Sequence, residues 1–429
     1  MMRSRFFLPS TLLAVSPAAA LGVVLSLGVV SVDCGKSPPQ YLDGVTYPES
    51  TYKPGMTYYK DVLPITQSAC QSCHTTGGIG PFPLLTYADA QAHHAQMSGS
   101  VQSRSMPPWM PSQNCQSFKG ARTLTQDQID TIFSWSKDNA PEGNPADAPA
   151  PPPNNTPTLT GATTDLDIGG DYTPVTTDDY RCFVMDPKLA ADTDLVAYDF
   201  VPGVRAEVHH VLVYSGSLAE MQGKDQAGPG VGYTCYGGPA ITSPQLVAAW
   251  VPGSGATIFP TGTGIPLKAG AGLVMQIHYN TLNGASPDRS KLRLQYSTAR
   301  VPRPAILTSL SQTQFSIPAG AQGYSASNTL TTPNNLTLWG LAPHMHTLGR
   351  RAQIAAQAPD NSSQCLIDIP AWDFHWQQLY MYNTATGISL AKGTKISLTC
   401  TWDNPTGNAI RWGEATTDEM CINYFYVTQ

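Results

Sequence analysis

From residue 161 to the end, short apolar runs recur between clusters of Gly, Pro and Asn, at 197–201, 208–214, 272–279, 292–296, 336–341 and 394–400. Runs of this length, bounded by turn formers, suit antiparallel sandwiches better than parallel sheets. Charged residues are only 13% of the chain, and Gly and Pro number 37 each, which favours strands and turns over long solvated helices. The region is about twice the length of one sandwich of roughly 100 residues. It therefore predicts two, spanning 161–305 and 306–429 and meeting around Val301-Pro302-Arg303-Pro304. The 429 residues leave room for a further small module before them. A net charge of -6, with no basic run, excludes nucleic acid as an expected partner.

The histidines fall in these apolar runs. In Leu341-Ala342-Pro343-His344-Met345-His346 two imidazoles are one residue apart, and on an extended strand both point to one face. His209 and His210 lie within Glu207–Tyr214, and His278 within Leu273–Tyr279. Each alone reads as a packed core or solvated residue. Five together in strand-like segments read as metal ligands in two sets, His209/His210/His278 and His344/His346. Met420, in Asp418-Glu419-Met420-Cys421, adds a thioether to the second set. Imidazole alone suits Zn, Cu, Ni or Fe, and soft sulfur shifts the choice toward copper.

Ahead of the β region, Cys70-Gln71-Ser72-Cys73-His74 has the spacing of a c-type haem attachment site. Its rivals are a redox Cys-x-x-Cys and half a zinc site, and no second ligand pair for zinc lies nearby. Met106, in Ser105-Met106-Pro107-Pro108-Trp109, is the candidate sixth ligand of a haem held by His74, and Met110 competes for that role. Thr125 is an expected N-cap for a helix over Leu124–Trp135 carrying Ile129, Ile132 and Phe133 at helical spacing. Segment 61–143 resembles a small class I cytochrome c, which implies an all-α domain with one covalent haem c. His93 and His94 read as solvated. The Pro-rich stretch 144–160 reads as a spacer that lets the haem module approach the next domain without rigid fusion.

Residues 1–34 have the pattern of an export signal, with Arg3 and Arg5 before an apolar stretch, and 35–60 read as a tether. Cys34-Gly35 resembles a bacterial lipoprotein acceptor, although Asp33 stands where a small neutral residue is usual. The expected location is the periplasm or cell surface, with lipidated Cys34 as a membrane attachment and signal-peptidase cleavage as its rival. In an exported chain the remaining cysteines, Cys115, Cys182, Cys235, Cys365, Cys400 and Cys421, are to be paired as disulfides.

Residues 161–429 resemble the copper type II, ascorbate-dependent monooxygenases, the family of the peptidylglycine α-hydroxylating and dopamine β-monooxygenases. The matching motifs are Tyr180-Arg181-Cys182-Phe183, Val208-His209-His210-Val211, Gln276-Ile277-His278-Tyr279, His344-Met345-His346 with Leu348-Gly349, and Asp418-Glu419-Met420-Cys421 with Tyr424. The resemblance implies two jelly-roll sandwiches facing one another across a solvent-filled cleft, each holding one copper ion. It implies that His209, His210 and His278 hold an electron-supplying copper. It also implies that His344, His346 and Met420 hold the copper where O2 reacts, with Tyr424 near the substrate. It pairs Cys182 with Cys235 and Cys400 with Cys421, and leaves Cys115 and Cys365 without a family partner.

Two positions depart from the peptide-amidating members. An arginine that grips a substrate carboxylate is Ala342 here, and an asparagine is Ile422. A small, apolar or aromatic substrate is expected instead, with O2 and an external donor, an ascorbate-like reductant or a redox protein. Arg350, Arg351 and His375 read as solvated or packed residues. The expectation is an exported copper monooxygenase fed by its own haem. The alternative is a surface copper-binding or electron-transfer protein without catalysis.

Overall fold

In the computed structural model the described residues are 47–151, 157–252, 254–281, 284–413 and 417–429. The export signal, Cys34, the start of the tether and residues 152–156 of the spacer lie outside them. Among the described residues no helix is long and apolar enough to cross a membrane.

The N-terminal part is helical, with Leu63–Ala69, Tyr87–Ala92, His94–Gln102 and Gln126–Lys137. Thr125 caps the last helix in a capping box with Gln128, so two otherwise orphaned N–H groups are satisfied reciprocally. Its buried face is Ile129, Ile132 and Trp135 against Tyr58, Val62 and Val101. Phe133, placed on that face by the sequence pattern, is only half-buried.

From Thr164 onward the chain is mainly β. One five-stranded sheet runs in the order Tyr233–Thr234, Asp178–Met185, Ala271–Asn280, Val208–Ser217, Gln245–Trp250. Ala271–Asn280 is central and buried on both faces, which is why it reads as a continuous apolar run without alternation. A four-stranded sheet, Tyr324–Thr331, Lys395–Trp402, Gly349–Gln357, Ser363–Ile369, belongs to the second half. The two halves, expected to meet near residue 303, also share a third sheet that runs through both. Arg303 and Pro304 pair in parallel with Thr263 and Gly264, and the same strand then pairs antiparallel with Ile422–Thr428. Tyr426 reaches back to stack on Phe259 at 4.7 Å and to share a hydrogen bond with Thr263 at 2.9 Å.

The disulfides Cys182–Cys235 and Cys400–Cys421 form as the resemblance implies. The third joins the two cysteines without a family partner, Cys115 to Cys365, across a sequence separation of 250. It overturns the expectation of a helical module free to move on the spacer. Around it, Ser112 N–H donates to the Asp368 carbonyl at 2.8 Å and Lys119 N–H to the Met381 carbonyl at 2.8 Å. Met110 and Phe118 are buried in the second half's own core. The segment after Met106 is therefore packed on the second sandwich, and a crosslink closing so long a loop is worth about 5 kcal/mol in the chain-entropy account.

Candidate metal centres

His209 and His210 are consecutive on one strand, so simple alternation would send them to opposite faces. A bulge resolves this. Against Ala271–Asn280 the register pairs Val208 with Tyr279 and His210 with His278, and His209 is the extra residue. The three Nδ1 atoms then face one another at 3.2 Å (His209–His210), 3.1 Å (His209–His278) and 3.4 Å (His210–His278). Nitrogens held about 2.0 Å from one tetrahedral ion stand about 3.3 Å apart, so these edges fit the spacing that one metal ion requires. His278 Nε2 donates to Asp178 Oδ1 at 3.0 Å, which fixes the tautomer and keeps the Nδ1 lone pair inward. Tyr180 stacks on the same ring at 4.2 Å. Burial, with the neighbouring histidines adding to it, pushes His209 down to about 3 and His210 well below its ordinary value. Both rings are thus neutral and ligand-ready near pH 7.

The second set is built differently. The strand Leu336–His344 ends at the first histidine, so only His344 is on the strand where the sequence places both. The alternation still persists: Met345 is fully buried in the core behind, while His344 and His346 line one cavity with Met420. Their ring centroids are 5.3 Å apart. His344 Nδ1 donates to Gln377 Oε1 at 2.5 Å, and His346 Nδ1 to the Asp418 carbonyl at 3.0 Å. Here Nδ1 is the nitrogen engaged by the protein, whereas in the first set the three Nδ1 atoms face one another. Burial, then the charge of His346, pushes His344 down to about 3. The loops carrying His346 and Met420 are clamped together by buried Glu419. Its carboxylate accepts from the backbone N–H of His346 (3.0 Å), Leu348 (2.7 Å) and Met420 (3.2 Å), and from Trp402 Nε1 (2.8 Å). Burial pushes this carboxyl up to about 7, against the pull of those donors. The register His344↔Ile422 and Ala342↔Tyr424 puts Ala342, Ile422 and Tyr424 on the same cavity wall.

That cavity, of about 250 Å3, is lined from both sandwiches, by Tyr180, His210 and Trp250 on one side and by His344, His346 and Met420 on the other. Where the resemblance implies open solvent between the sites, the ring of Phe374 intervenes. Its centroid is 6.3 Å from His209, 6.5 Å from His278 and 6.0 Å from His346. No Lys, Arg, Asp or Glu lines the cavity among the described residues. Arg350 pairs with Asp403 at 3.1 Å and Arg351 with Asp368 at 2.8 Å, so both are structural. His375 bonds Asp373 at 2.7 Å and packs edge-on to His209, with centroids 5.2 Å apart.

In the helical part, Cys70 and Cys73 are free thiols, and the backbone N–H groups of Cys73 and His74 bond back to the Cys70 carbonyl. His74 Nδ1 donates to the Phe82 carbonyl at 2.9 Å, leaving Nε2 available. Met106 lines a small cavity with Val101, Leu124 and Ile129. Met110 also borders it, but its sulfur accepts from the Asp373 N–H at 3.2 Å. His93 and His94 are packed, not solvated: His93 stacks on Phe82 at 3.7 Å, and His94 bonds Ser136 Oγ at 2.9 Å.

Sequence reasoning missed Asp178, Phe374, Gln377 and Glu419. Asp178 lies two residues before Tyr180 on the strand paired with His278, so alternation would have found it had the register been known. The segment Trp372–Gln377 carries no periodic signal, and only the fold brings it to the cavity.

Residues 306–428 match the family model of the copper type II ascorbate-dependent monooxygenase, C-terminal domain. This supports that family and, with it, a copper-dependent oxidoreductase of monooxygenase type. No curated protein matches the chain. Among solved structures, the infectious bursal disease virus VP2 subviral particle is similar at 12% identity and TM-score 0.19, covering 66% of this chain and 75% of that one. The major capsid protein P2 of bacteriophage PM2 has 7% identity and TM-score 0.27, covering 62% and 97%. A two-domain protein of unknown function from Bacteroides fragilis NCTC 9343 has 11% identity and TM-score 0.16, covering 61% and 94%. These scores are too low to assign a shared fold.

Proposed function

We propose that the chain is an exported monooxygenase that hydroxylates a C–H bond of a small, largely apolar molecule at the cavity between its sandwiches. The observation that carries this is the pair of unlike ligand sets: a His/His/Met set lining an uncharged cavity, and three converging Nδ1 atoms of which His210 borders the same cavity. One oxygen atom of O2 enters the C–H bond and the other leaves as water, which takes two electrons and two protons. When bound, copper supplies one-electron redox chemistry, and a thioether ligand favours the cuprous state. The residues of the chain do the rest. His209, His210 and His278 hold one ion, and His344, His346 and Met420 hold the other on the substrate side. Ala342 and Ile422 leave an apolar wall, Tyr424 offers one hydroxyl, and a charged substrate would lose its hydration without a partner. The three disulfides among the described residues suit a compartment outside the cytoplasm, where Cys34 would serve as a lipid anchor.

The same reading takes Cys70, Cys73 and His74 as the site of a covalent haem c, with Met106 as its sixth ligand and the haem as electron donor. Unbridged thiols and a free His74 Nε2 suit it. So does Arg122, whose buried Nε has no partner among the described residues, where a haem carboxylate would be an acceptor. The test is metal and haem content followed by turnover with isotopically labelled O2 and a small aromatic substrate. Two coppers, one haem and one labelled oxygen atom in the product are expected. Zinc in both sites, or a single copper with no labelled product, would favour a non-catalytic binding protein.

A further inference from the structure

One side chain decides how far the chamber between the sandwiches extends. Phe374 lines it, with its ring centroid 6.0 Å from that of His346 in one set and 6.3 and 6.5 Å from those of His209 and His278 in the other. Of the first set, His210 borders the chamber, while His209 and His278 are buried with the Phe374 ring against them. The backbone beneath this ring is tied on both sides. Phe374 opens a short turn, Phe374–Trp376, in which the Asp373 carboxylate accepts the His375 N–H at 2.9 Å. Before the turn, the Asp373 N–H donates to Met110 Sδ at 3.2 Å, and Trp372 Nε1 donates to the His346 carbonyl at 3.1 Å. After it, Gln377 Nε2 donates to the Phe374 carbonyl at 2.8 Å while its Oε1 holds His344 Nδ1. His375 packs on His209. The ring is thus carried by a turn fastened to both ligand sets.

We propose that Phe374 determines substrate size, limiting the chamber to a neutral molecule of one aromatic ring with a short side chain, seated against His344, His346 and Met420. This inference rests on the reading above, which puts the substrate in this chamber. An apolar cavity of about 150 Å3 takes one benzene. The chamber, of about 250 Å3, therefore has room for one ring and a few further atoms. A second ring needs the volume that the Phe374 ring fills. Forcing extra atoms into a packed site strains the wall, whereas apolar space already open is readily occupied. Truncation at Phe374 frees about the volume of one ring, so it should admit the larger molecule without altering any metal ligand. An open, solvent-filled cleft would set no such limit.

The test uses the full chain, first free of copper. The probes are 4-ethylphenol and 4-(4-ethylphenyl)phenol, which differ by one ring, titrated calorimetrically into the parent protein, Phe374→Ala and Phe374→Leu. The affinity of the two-ring probe relative to the one-ring probe is expected to rise by about tenfold in Phe374→Ala, the low end of what misfit in an apolar pocket produces, and by less in Phe374→Leu. Copper content of the loaded proteins should be the same in all three, since Phe374 supplies no ligand. An unchanged ratio in Phe374→Ala would overturn the assignment. If Phe374→Ala does not fold, Phe374→Leu decides by the same ratio. Turnover of the loaded proteins with labelled O2 separates this inference from the reading beneath it. A shifted ratio with labelled oxygen in the one-ring product supports both. A shifted ratio with no labelled product from either probe leaves Phe374 as the limit on the chamber and overturns hydroxylation there.

Discussion

The two ligand sets present opposite faces of the same side chain. In the first sandwich three imidazoles point Nδ1 inward, within 3.4 Å of one another, and His278 is fastened behind by Asp178. In the second, Nδ1 is engaged by Gln377 and by the Asp418 carbonyl, and both rings line a cavity of about 250 Å3. The first arrangement has the spacing to close around an ion, with little room for another molecule. The second holds its ligands apart on the wall of a chamber that admits one. The histidine count alone would not separate these roles. What separates them is which nitrogen the surrounding structure has already used.

The largest expected effect tests this division. His210→Ala should empty the first site, because a trio closed on itself has no spare donor, while the second keeps its copper. Met420→Ile should do the reverse in kind: two imidazoles still retain an ion, but labelled oxygen no longer reaches product. Copper counted per chain beside turnover checks both. Loss of both ions in either variant would mean that the sites are one unit.

Next in size is the acid response of the metal-free protein. His209 and His344 are both pushed down to about 3, chiefly by burial. In the unfolded chain they titrate near 6.5, so below that pH the unfolded state takes up protons that the folded state refuses. Their contribution is fully present above about pH 6.5 and lost as pH falls toward 3. The melting temperature of the apo protein should therefore drop through this window, and the double variant His209→Ala, His344→Ala should flatten the profile. An equal slope in that variant would place the acid sensitivity elsewhere.

The supporting groups should show a smaller, graded difference. Asp178→Asn is expected to weaken copper at the first site by about 10–100-fold, the usual cost of losing a carboxylate behind a ligating histidine. Gln377→Leu should weaken the second site less, since an amide polarises imidazole less than a carboxylate does. Competition with a chelator measures both, and an equal loss would remove the distinction between the two outer shells.

Much of this was legible before the fold was known. The ligand histidines announced themselves because they interrupt strongly apolar runs, and the strands at 208–214 and 272–279 fall inside the observed Val208–Ser217 and Ala271–Asn280. What could not be read was register. Two consecutive histidines converge on one point with His278 only because of the bulge at His209, and a one-residue slip is invisible in a sequence. Nor could the partnership of Cys115 and Cys365 be read, since connectivity does not follow from spacing. The docking of residues 109–119 went unseen for the same reason. That segment has no periodicity of its own and is held by backbone groups whose partners lie some 250 residues away.

The smallest expected effect concerns the chamber itself. Ala342 is half-buried, sits across from Tyr424 in the register and faces a lining without charge. Ala342→Arg would bring a guanidinium into that space beside the second ligand set. Apolar substrates should then bind more weakly, by about 1–2 kcal/mol, because part of the apolar wall they cover becomes a hydrated cation. A substrate of equal size bearing a carboxylate should gain, through a charge-assisted pair that the parent protein cannot make. Copper content should be unchanged, since Ala342 touches neither ring through its own bonds. The readout is KM for a matched pair of substrates, neutral and carboxylate-bearing, at constant copper occupancy. If both KM values move together, the chamber wall at Ala342 does not face the substrate. Selectivity would then lie on the first sandwich's side, with Tyr180 and Trp250.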